Sequence, residues 1–144
     1  MRRALSLVLL VALSAVACDN GNSTAVASTT TTTTAPTATL ITESFTGTVA
    51  VSGTDFHNFT VATTGAINVT LTAAGPPSTI FMGIGVGTPS ATACALLTGG
   101  STAQQAGVTP QISGMITAGS YCVSVFDIGN QSAPVTYSVT VTHF

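Results

Sequence analysis

The chain has 144 residues, of which only six are charged at pH 7: four Asp or Glu and two Lys or Arg. Both basic residues, Arg2 and Arg3, stand at the N-terminus. Nucleic-acid binding requires basic side chains that neutralise phosphates, so the composition excludes a nucleic-acid partner, and it excludes electrostatic attachment to anionic lipid for the same reason. Because 45% of the residues are hydrophobic and charge is low, we expect a folded domain rather than a disordered chain.

Residues 1–17 have the pattern of an export signal. Arg2 and Arg3 form a short positively charged start, and residues 4–17 are uncharged and apolar or small. This stretch is too short to span about 30 Å of hydrocarbon as a helix. Together with the small residues Ala15-Val16-Ala17 at its end, it predicts a secretory signal peptide.

Cys18 follows the predicted cleavage site directly. Residues 15–18 resemble a bacterial lipobox, in which the cysteine is acylated and becomes the first residue of the mature protein; Ala15 stands where that pattern prefers Leu. The alternative is a plain secreted protein with an incidental cysteine. Because each buried CH₂ contributes about 0.8 kcal/mol, acyl chains on Cys18 would hold the protein firmly. We expect an extracytoplasmic lipoprotein anchored in the membrane, on the periplasmic face or at the cell surface.

Residues 18–42 read as the lipidated cysteine followed by a flexible linker. Six consecutive threonines occupy residues 29–34, and Ala35-Pro36-Thr37 follows them. No hydrophobic period is present, so composition predicts a Thr-rich tether.

Residues 43–144 form the predicted domain, and their hydrophobic pattern has period two. Side chains alternate between the two faces of a strand, so each such run offers one apolar face to a common core. Turn signals rich in Gly, Pro, Asn and Asp separate the runs, among them residues 98–100, Thr-Gly-Gly. About eight short strands at this spacing predict an all-β fold, a single antiparallel β-sandwich. The clearest runs are residues 45–51, 59–61, 67–72, 80–86, 121–126 and 135–141.

Two C-terminal segments carry a family resemblance. Residues 119–125, Gly-Ser-Tyr-Cys-Val-Ser-Val, and residues 137–141, Tyr-Ser-Val-Thr-Val, resemble the last two strands of the bacterial pre-peptidase C-terminal domain. Residues 55–61 and 65–71 look like the second and third strands of that domain. The resemblance implies a jelly-roll-like sandwich, usually an accessory module on secreted enzymes and sometimes linked to calcium or to polymer binding.

Cys94 and Cys122 remain once Cys18 carries lipid. An exported context favours a disulfide between them, and two separate buried thiols are the alternative. Closing this loop would stabilise the fold by about 3–4 kcal/mol.

Two groups of residues are candidate ligand sites. Asp127 and Asn130, between the last two strands, could supply oxygens to Ca²⁺, but turn chemistry explains the same residues and four acids in the mature chain are few for a tight site. Asp55 and His57 share one face of a strand, which suits a pair of metal ligands. The sequence offers no third ligand, and Zn²⁺ takes four, so we expect no metal and no cofactor.

Catalysis has little support in the sequence. The serine hydrolase elbow Gly-x-Ser-x-Gly does not occur, and the glycines of residues 83–87 lie in a predicted strand without the Lys of a phosphate loop. A hydrolase would have to join His57 or His143 to an acid. We therefore expect a non-catalytic binding or accessory module at the cell envelope, or else a structural or assembly subunit without a soluble ligand. Its partner would be an envelope protein or a polysaccharide, although the absence of Trp and the core positions expected for Tyr121 and Tyr137 argue against sugar stacking.

Overall fold

The computed structural model describes residues 37–144 of the chain. The predicted signal peptide, Cys18 and most of the predicted linker lie outside these residues. Lipidation and export therefore stay predictions. Within the described part, no helix is long and apolar enough to cross a membrane.

Eight β-strands build the domain, as the periodicity predicted. They form two antiparallel four-stranded sheets that pack against each other as a β-sandwich, which confirms the predicted fold class. The strands are β1 (Ile41–Val49), β2 (Thr54–Val61), β3 (Gly65–Gly75), β4 (Met82–Pro89), β5 (Cys94–Gln104), β6 (Ile112–Ile116), β7 (Gly119–Phe126) and β8 (Val135–His143).

The strand order is that of a jelly roll. One sheet has the order β1-β8-β3-β6 and the other β2-β7-β4-β5, so consecutive strands repeatedly change sheets. Two strands are edges on one side of the sandwich, where β1 lies against β2. The other two edge strands, β5 and β6, adjoin each other on the opposite side. The molecule therefore has two open sides, which we call the β1–β2 edge and the β5–β6 edge.

The core lies between the sheets and follows the alternation of the strands. In β3 the residues Ile67, Val69 and Leu71 are buried, and in β8 every second residue from Val135 to His143 is buried. Strand β4 is buried on both faces over residues 82–87, as its continuous apolar run predicted.

The outer face of β4 is covered by side chains of its neighbouring strands, and the glycines of β4 leave the space for them. A Cβ on Gly83 would meet the ring of Phe126, and a Cβ on Gly85 would lie 2.6 Å from a methyl group of Leu96. Both contacts would be closer than real Cβ atoms approach other atoms. Phe126 and Leu96 can therefore lie across this strand only because it lacks side chains at residues 83 and 85.

Three local features differ from the pattern-based expectation. Strand β1 begins at Ile41, two residues before the predicted start of the domain. Residues 98–100, predicted as a turn between strands, lie inside β5, where the ladder with β4 shifts register opposite Val86 and Gly99 has φ +72°. Strands β5 and β6 were not among the clear runs, because most of their residues are exposed on both faces and show no alternation.

Candidate functional site: the polar cluster of the β1–β2 edge

The ionisable side chains of the described residues are concentrated on the β1–β2 edge. Strands β1 and β2 are joined by a tight turn and belong to opposite sheets, so their odd-numbered residues point into the same gap. Five of the seven ionisable side chains outside the disulfide lie here; Asp127 and Tyr121 lie elsewhere. The five, which we call the polar cluster, are Glu43, Asp55, His57, Tyr137 and His143.

Three members of the cluster share one hydroxyl group. The Tyr137 hydroxyl donates a hydrogen bond to Asp55 Oδ2 over 2.8 Å. His57 Nε2 lies 2.9 Å from the same hydroxyl oxygen and 4.0 Å from Asp55 Oδ2. Because a phenol carries a single proton, the Nε2–H of His57 donates to the phenol oxygen. The chain of bonds therefore connects β2 to β8 and ties the two sheets together.

The neighbours of this triad come from β1. The ring of Phe45 stacks on the imidazole of His57, with ring centroids 5.0 Å apart and planes at 10°. A Cβ on Gly47 would collide with the Asp55 carboxylate and would lie 2.7 Å from the Tyr137 hydroxyl. The sequence Phe45-Thr46-Gly47 therefore supplies one aromatic wall and one gap into which the acid and the phenol fit.

The phenol of Tyr137 is much more buried than its two hydrogen-bond partners. Tyr137 is only 4% exposed, whereas the side chains of His57 and Asp55 are 29% and 34% exposed. Burial raises the pKa of Tyr137 far above its ordinary value of 10.0, and the hydrogen bond to Asp55 and the charge of that carboxylate raise it further. The phenol thus holds its proton at neutral pH, while the acid and the imidazole face solvent.

His143 forms a second pair at the far end of the same edge. Its side chain is fully buried, and its Nε2 lies 3.0 Å from Glu43 Oε1, whose side chain is 34% exposed. The imidazole also packs against the ring of Phe59, with centroids 5.5 Å apart. Each imidazole of the domain therefore has one acidic neighbour and at least one aromatic neighbour, a regularity that the sequence did not reveal.

The Asp127 and Asn130 pair has the geometry of a turn. Asp127 Oδ2 accepts the N–H of Ser52 over 2.7 Å, and Oδ1 accepts three backbone N–H groups from residues 129–131 at 2.8, 3.1 and 3.3 Å. These bonds, that of Ser52 foremost, lower the pKa of Asp127. Asn130 Nδ2 donates to the carbonyl oxygen of Phe81 over 3.0 Å. In residues 37–144, no three His, Cys, Asp or Glu side chains converge as metal ligands, and the calcium hypothesis for Asp127 and Asn130 stays a prediction.

The predicted disulfide between Cys94 and Cys122 is confirmed. Cys94 begins β5 and Cys122 lies in β7, and both strands are neighbours of β4. The bridge therefore passes over β4 at Gly87, where a Cβ would lie 2.8 Å from Cys94 Sγ. It anchors the edge strand β5 to the centre of its sheet.

The β5–β6 edge contains an apolar groove. Its volume is about 270 Å³, and its walls are the bulge at residues 97–100 of β5 and the whole of β6. Leu97 is 40% exposed and Met115 is 76% exposed at its rim. No Asp, Glu, Lys, Arg or His occurs anywhere in residues 58–126, so the groove has no charged neighbour from either strand or from the strands beside them.

Comparison with known proteins leaves the chain without an assigned family. No protein-family model matches the sequence, and no curated protein matches it either. The resemblance to the pre-peptidase C-terminal domain and to a lipobox therefore stays a prediction. What this chain does must be argued from its own two edges.

Proposed function

We propose that the protein is an exported lipoprotein, anchored through Cys18, whose β-sandwich is a non-catalytic binding module for another protein of the cell envelope. The observation that carries the binding role is the uncharged, open β5–β6 edge. The sequence pattern of residues 1–18 supports export and anchoring. A disulfide between Cys94 and Cys122 is compatible with an oxidising, extracytoplasmic location.

The backbone of the β5–β6 edge favours an extended partner. Strand β5 pairs only with β4, and β6 pairs only with β3, so each presents unpaired N–H and C=O groups on its outer side. Soluble proteins usually protect such edges with charges, and residues 94–116 contain none. A peptide strand that adds to the edge would satisfy these groups, which is a common mode of peptide recognition.

The side chains of the groove favour an uncharged partner segment. Its floor includes Ile67 and Val86, and its rim carries Leu97 and Met115. A charged residue docked here would lose its hydration without gaining a counter-charge, which is unfavourable. The groove therefore suits an extended segment with apolar side chains on the face that it turns inward.

A protein partner fits this surface better than a polysaccharide. Sugar-binding surfaces commonly use exposed aromatic rings, and the chain has no Trp. Tyr137 is buried, and the hydroxyl of half-buried Tyr121 lies 3.0 Å from that of Thr117. The groove itself has no aromatic ring in its lining, and a polypeptide can cover the exposed apolar side chains of Leu97 and Met115 at its rim.

A structural or assembly subunit is the second candidate function. The same unprotected edge that accepts a foreign strand can pair with β5 or β6 of another copy, because neither carries a charge that would repel its like. In that case the chain would build an assembly of its own and bind no separate ligand. The occupant of the edge distinguishes the two functions.

Anchoring is tested with Cys18→Ala in the full chain, expressed with its own signal. The unaltered chain should partition into the membrane fraction, and intact mass should show an acylated N-terminus. The variant should be released into the soluble extracytoplasmic fraction. An unacylated mature N-terminus in the unaltered chain would contradict the proposal.

Edge binding is tested with a photo-crosslinking residue placed at Met115 of the full chain in its native host. We expect one discrete adduct with another protein, which disappears when Leu97→Lys is added and does not form from the same probe at exposed Thr46 of β1. An adduct of twice the chain's own mass would support the assembly subunit instead. Adducts that persist with Leu97→Lys would contradict binding in the groove.

A further inference from the structure

The geometry points to a copper(II) site on the β1–β2 edge, formed by the Asp55 carboxylate, the His57 imidazole and the Tyr137 phenolate. The site lies on the opposite side of the sandwich from the proposed partner groove and does not depend on it. Asp55 and His57 by themselves are an incomplete ligand pair. The fold adds a third donor from β8, 80 residues from His57 in the sequence.

The three donor atoms have the spacing of ligands around one ion. Their separations are 2.8 Å (Asp55 Oδ2 to Tyr137 oxygen), 2.9 Å (His57 Nε2 to Tyr137 oxygen) and 4.0 Å (Asp55 Oδ2 to His57 Nε2). These sides enclose nearly a right angle at the phenol oxygen. The midpoint of the longest side therefore lies about 2.0 Å from all three atoms, half of 4.0 Å, which is a normal metal–nitrogen or metal–oxygen distance.

The shape of the triangle selects the metal. Two donors lie opposite each other and the third lies at right angles to both, which corresponds to three positions of a square plane. Nitrogen and oxygen donors in a tetragonal arrangement favour Cu²⁺, which is also the divalent first-row ion that such ligands bind most tightly. Tetrahedral Zn²⁺ would need all three donors about 3.3 Å apart, and Ca²⁺ takes oxygen ligands rather than an imidazole.

Proton balance allows the exchange of the hydrogen-bonded triad for a metal complex. The phenol loses its proton to solvent as the Cu–O bond forms. His57 binds as the tautomer with its ring proton on Nδ1, so that the lone pair of Nε2 is free for the metal. One proton is therefore released for each ion bound. The partial exposure of His57 and Asp55 leaves the remaining coordination position open to solvent.

Strand β1 positions the ligands without contributing one. Phe45 stacks on the His57 ring and restricts its orientation. Gly47 leaves the space in which the Asp55 carboxylate and the Tyr137 hydroxyl approach each other. Such supporting contacts commonly change metal affinity by about 10- to 100-fold when they are altered.

The test is titration of the full chain with Cu²⁺ alone, followed by visible absorption and proton release. We expect one ion per chain, one proton released per ion, and a phenolate-to-copper charge-transfer band. The chain has two tyrosines and no Trp, so Tyr121→Phe is a matched control that should keep the band. Tyr137→Phe should abolish the band and weaken binding at least as much as loss of a supporting contact does, by about 10- to 100-fold.

A second variant separates this site from copper bound elsewhere. His57→Phe preserves an aromatic ring beside Phe45 and should also abolish the band, with the unfolding transition of each variant confirming that it is folded. Three results would overturn the proposal: no charge-transfer band in the unaltered chain, a band that survives Tyr137→Phe, or copper affinity that neither Tyr137→Phe nor His57→Phe lowers. Zn²⁺ should compete only weakly, and equal competition would contradict the square-planar assignment.

Discussion

The two open sides of the sandwich are closed in different ways. At the β1–β2 edge, Tyr137 on β8 bonds to Asp55 and His57 on β2, and these bonds cross from one sheet to the other. At the β5–β6 edge, no side-chain hydrogen bond in the described residues joins β5 to β6, and an apolar groove remains between them. The comparison shows that the topology of a jelly roll leaves two open sides. The side chains determine that one is joined by hydrogen bonds between the sheets and that the other stays an open groove.

The covalent link follows the same division. The disulfide anchors β5, the less buried edge strand, whereas the β1–β2 side relies on hydrogen bonds and aromatic stacking. A mostly exposed strand gains little from burial, so a covalent tether compensates for weak packing. Four changes to the protein or its solvent should affect the two edges differently.

Removal of the disulfide should have the largest effect. Cys94→Ala together with Cys122→Ala, 28 residues apart in sequence, should lower the free energy of unfolding by about 3–4 kcal/mol, because the unfolded chain regains the loop's freedom. Denaturant unfolding measures the loss. Hydrogen exchange should show that amides of β5 lose protection more than those of β1. Equal loss at both edges would mean that the disulfide does not act on the β5 side in particular.

An added methyl group should destabilise the fold more at the β1–β2 edge than at the β5–β6 edge. One glycine on each edge, Gly47 and Gly114, allows the comparison. Gly47→Ala places a Cβ against the Asp55 carboxylate and the Tyr137 hydroxyl and should cost about 1–3 kcal/mol of unfolding free energy. Gly114→Ala in β6 meets nothing within 4 Å and should change it by less than about 0.5 kcal/mol. Urea unfolding of both variants checks the pair. Similar costs would show that the polar cluster is not tightly packed around Gly47.

Loss of the central hydroxyl should have a smaller effect. Tyr137→Phe retains the buried ring and removes both hydrogen bonds of the phenol, at a cost of about 1–2 kcal/mol, because Asp55 and His57 can rehydrate at the surface. Tyr121→Phe removes one exposed bond to Thr117 and should cost less. Thermal unfolding ranks the two. A larger loss of stability from Tyr121→Phe would refute the role of the Tyr137 hydroxyl in linking the two sheets.

Acidification should give the smallest change in the free energy of unfolding, and it should act through protonation of Asp127. Its folded pKa lies below the unfolded value of 3.8, so its stabilisation is complete above that value and is lost as the pH falls through the folded pKa. Asp127→Asn should lower the unfolding free energy at neutral pH and flatten the stability profile below about pH 4, because its difference from the unaltered chain disappears as Asp127 becomes protonated. Because residues 94–116 contain no ionisable Asp, Glu or His, hydrogen exchange at β5 and β6 should lack this local acid response. An unchanged acid profile in the variant would exclude the N–H contacts of Asp127 as its cause.

Sequence reasoning succeeded where one face of a strand is buried. The alternation in β3 and β8 predicted their position and their buried faces, and the inward position of Tyr137 in β8 followed from it. The disulfide followed from cysteine count and compartment rather than from periodicity. Sequence reasoning missed β5 and β6, because strands that are exposed on both faces show no hydrophobic alternation. It also interpreted the bulge around Gly99 as a turn.

The polar cluster was visible in the sequence only as fragments. Asp55 and His57 are two residues apart and could be placed on one strand face, but Tyr137 was assigned to the core as a hydrophobic residue. Glu43 and His143 lie 100 residues apart and had no local signal. Their meeting depends on the pairing of β1 with β8 and on the facing of β1 and β2, which local sequence does not encode.

Residue type and short spacing are therefore enough to predict the strand period, the scarcity of charge, the cysteine pair and the export pattern. Only the folded arrangement brings the Asp55 carboxylate and the His57 imidazole to the hydroxyl of Tyr137, and only it sets the unprotected strands β5 and β6 side by side. The residues of a β-strand specify which of its two faces is buried. Which strands lie beside it depends instead on the topology of the whole chain.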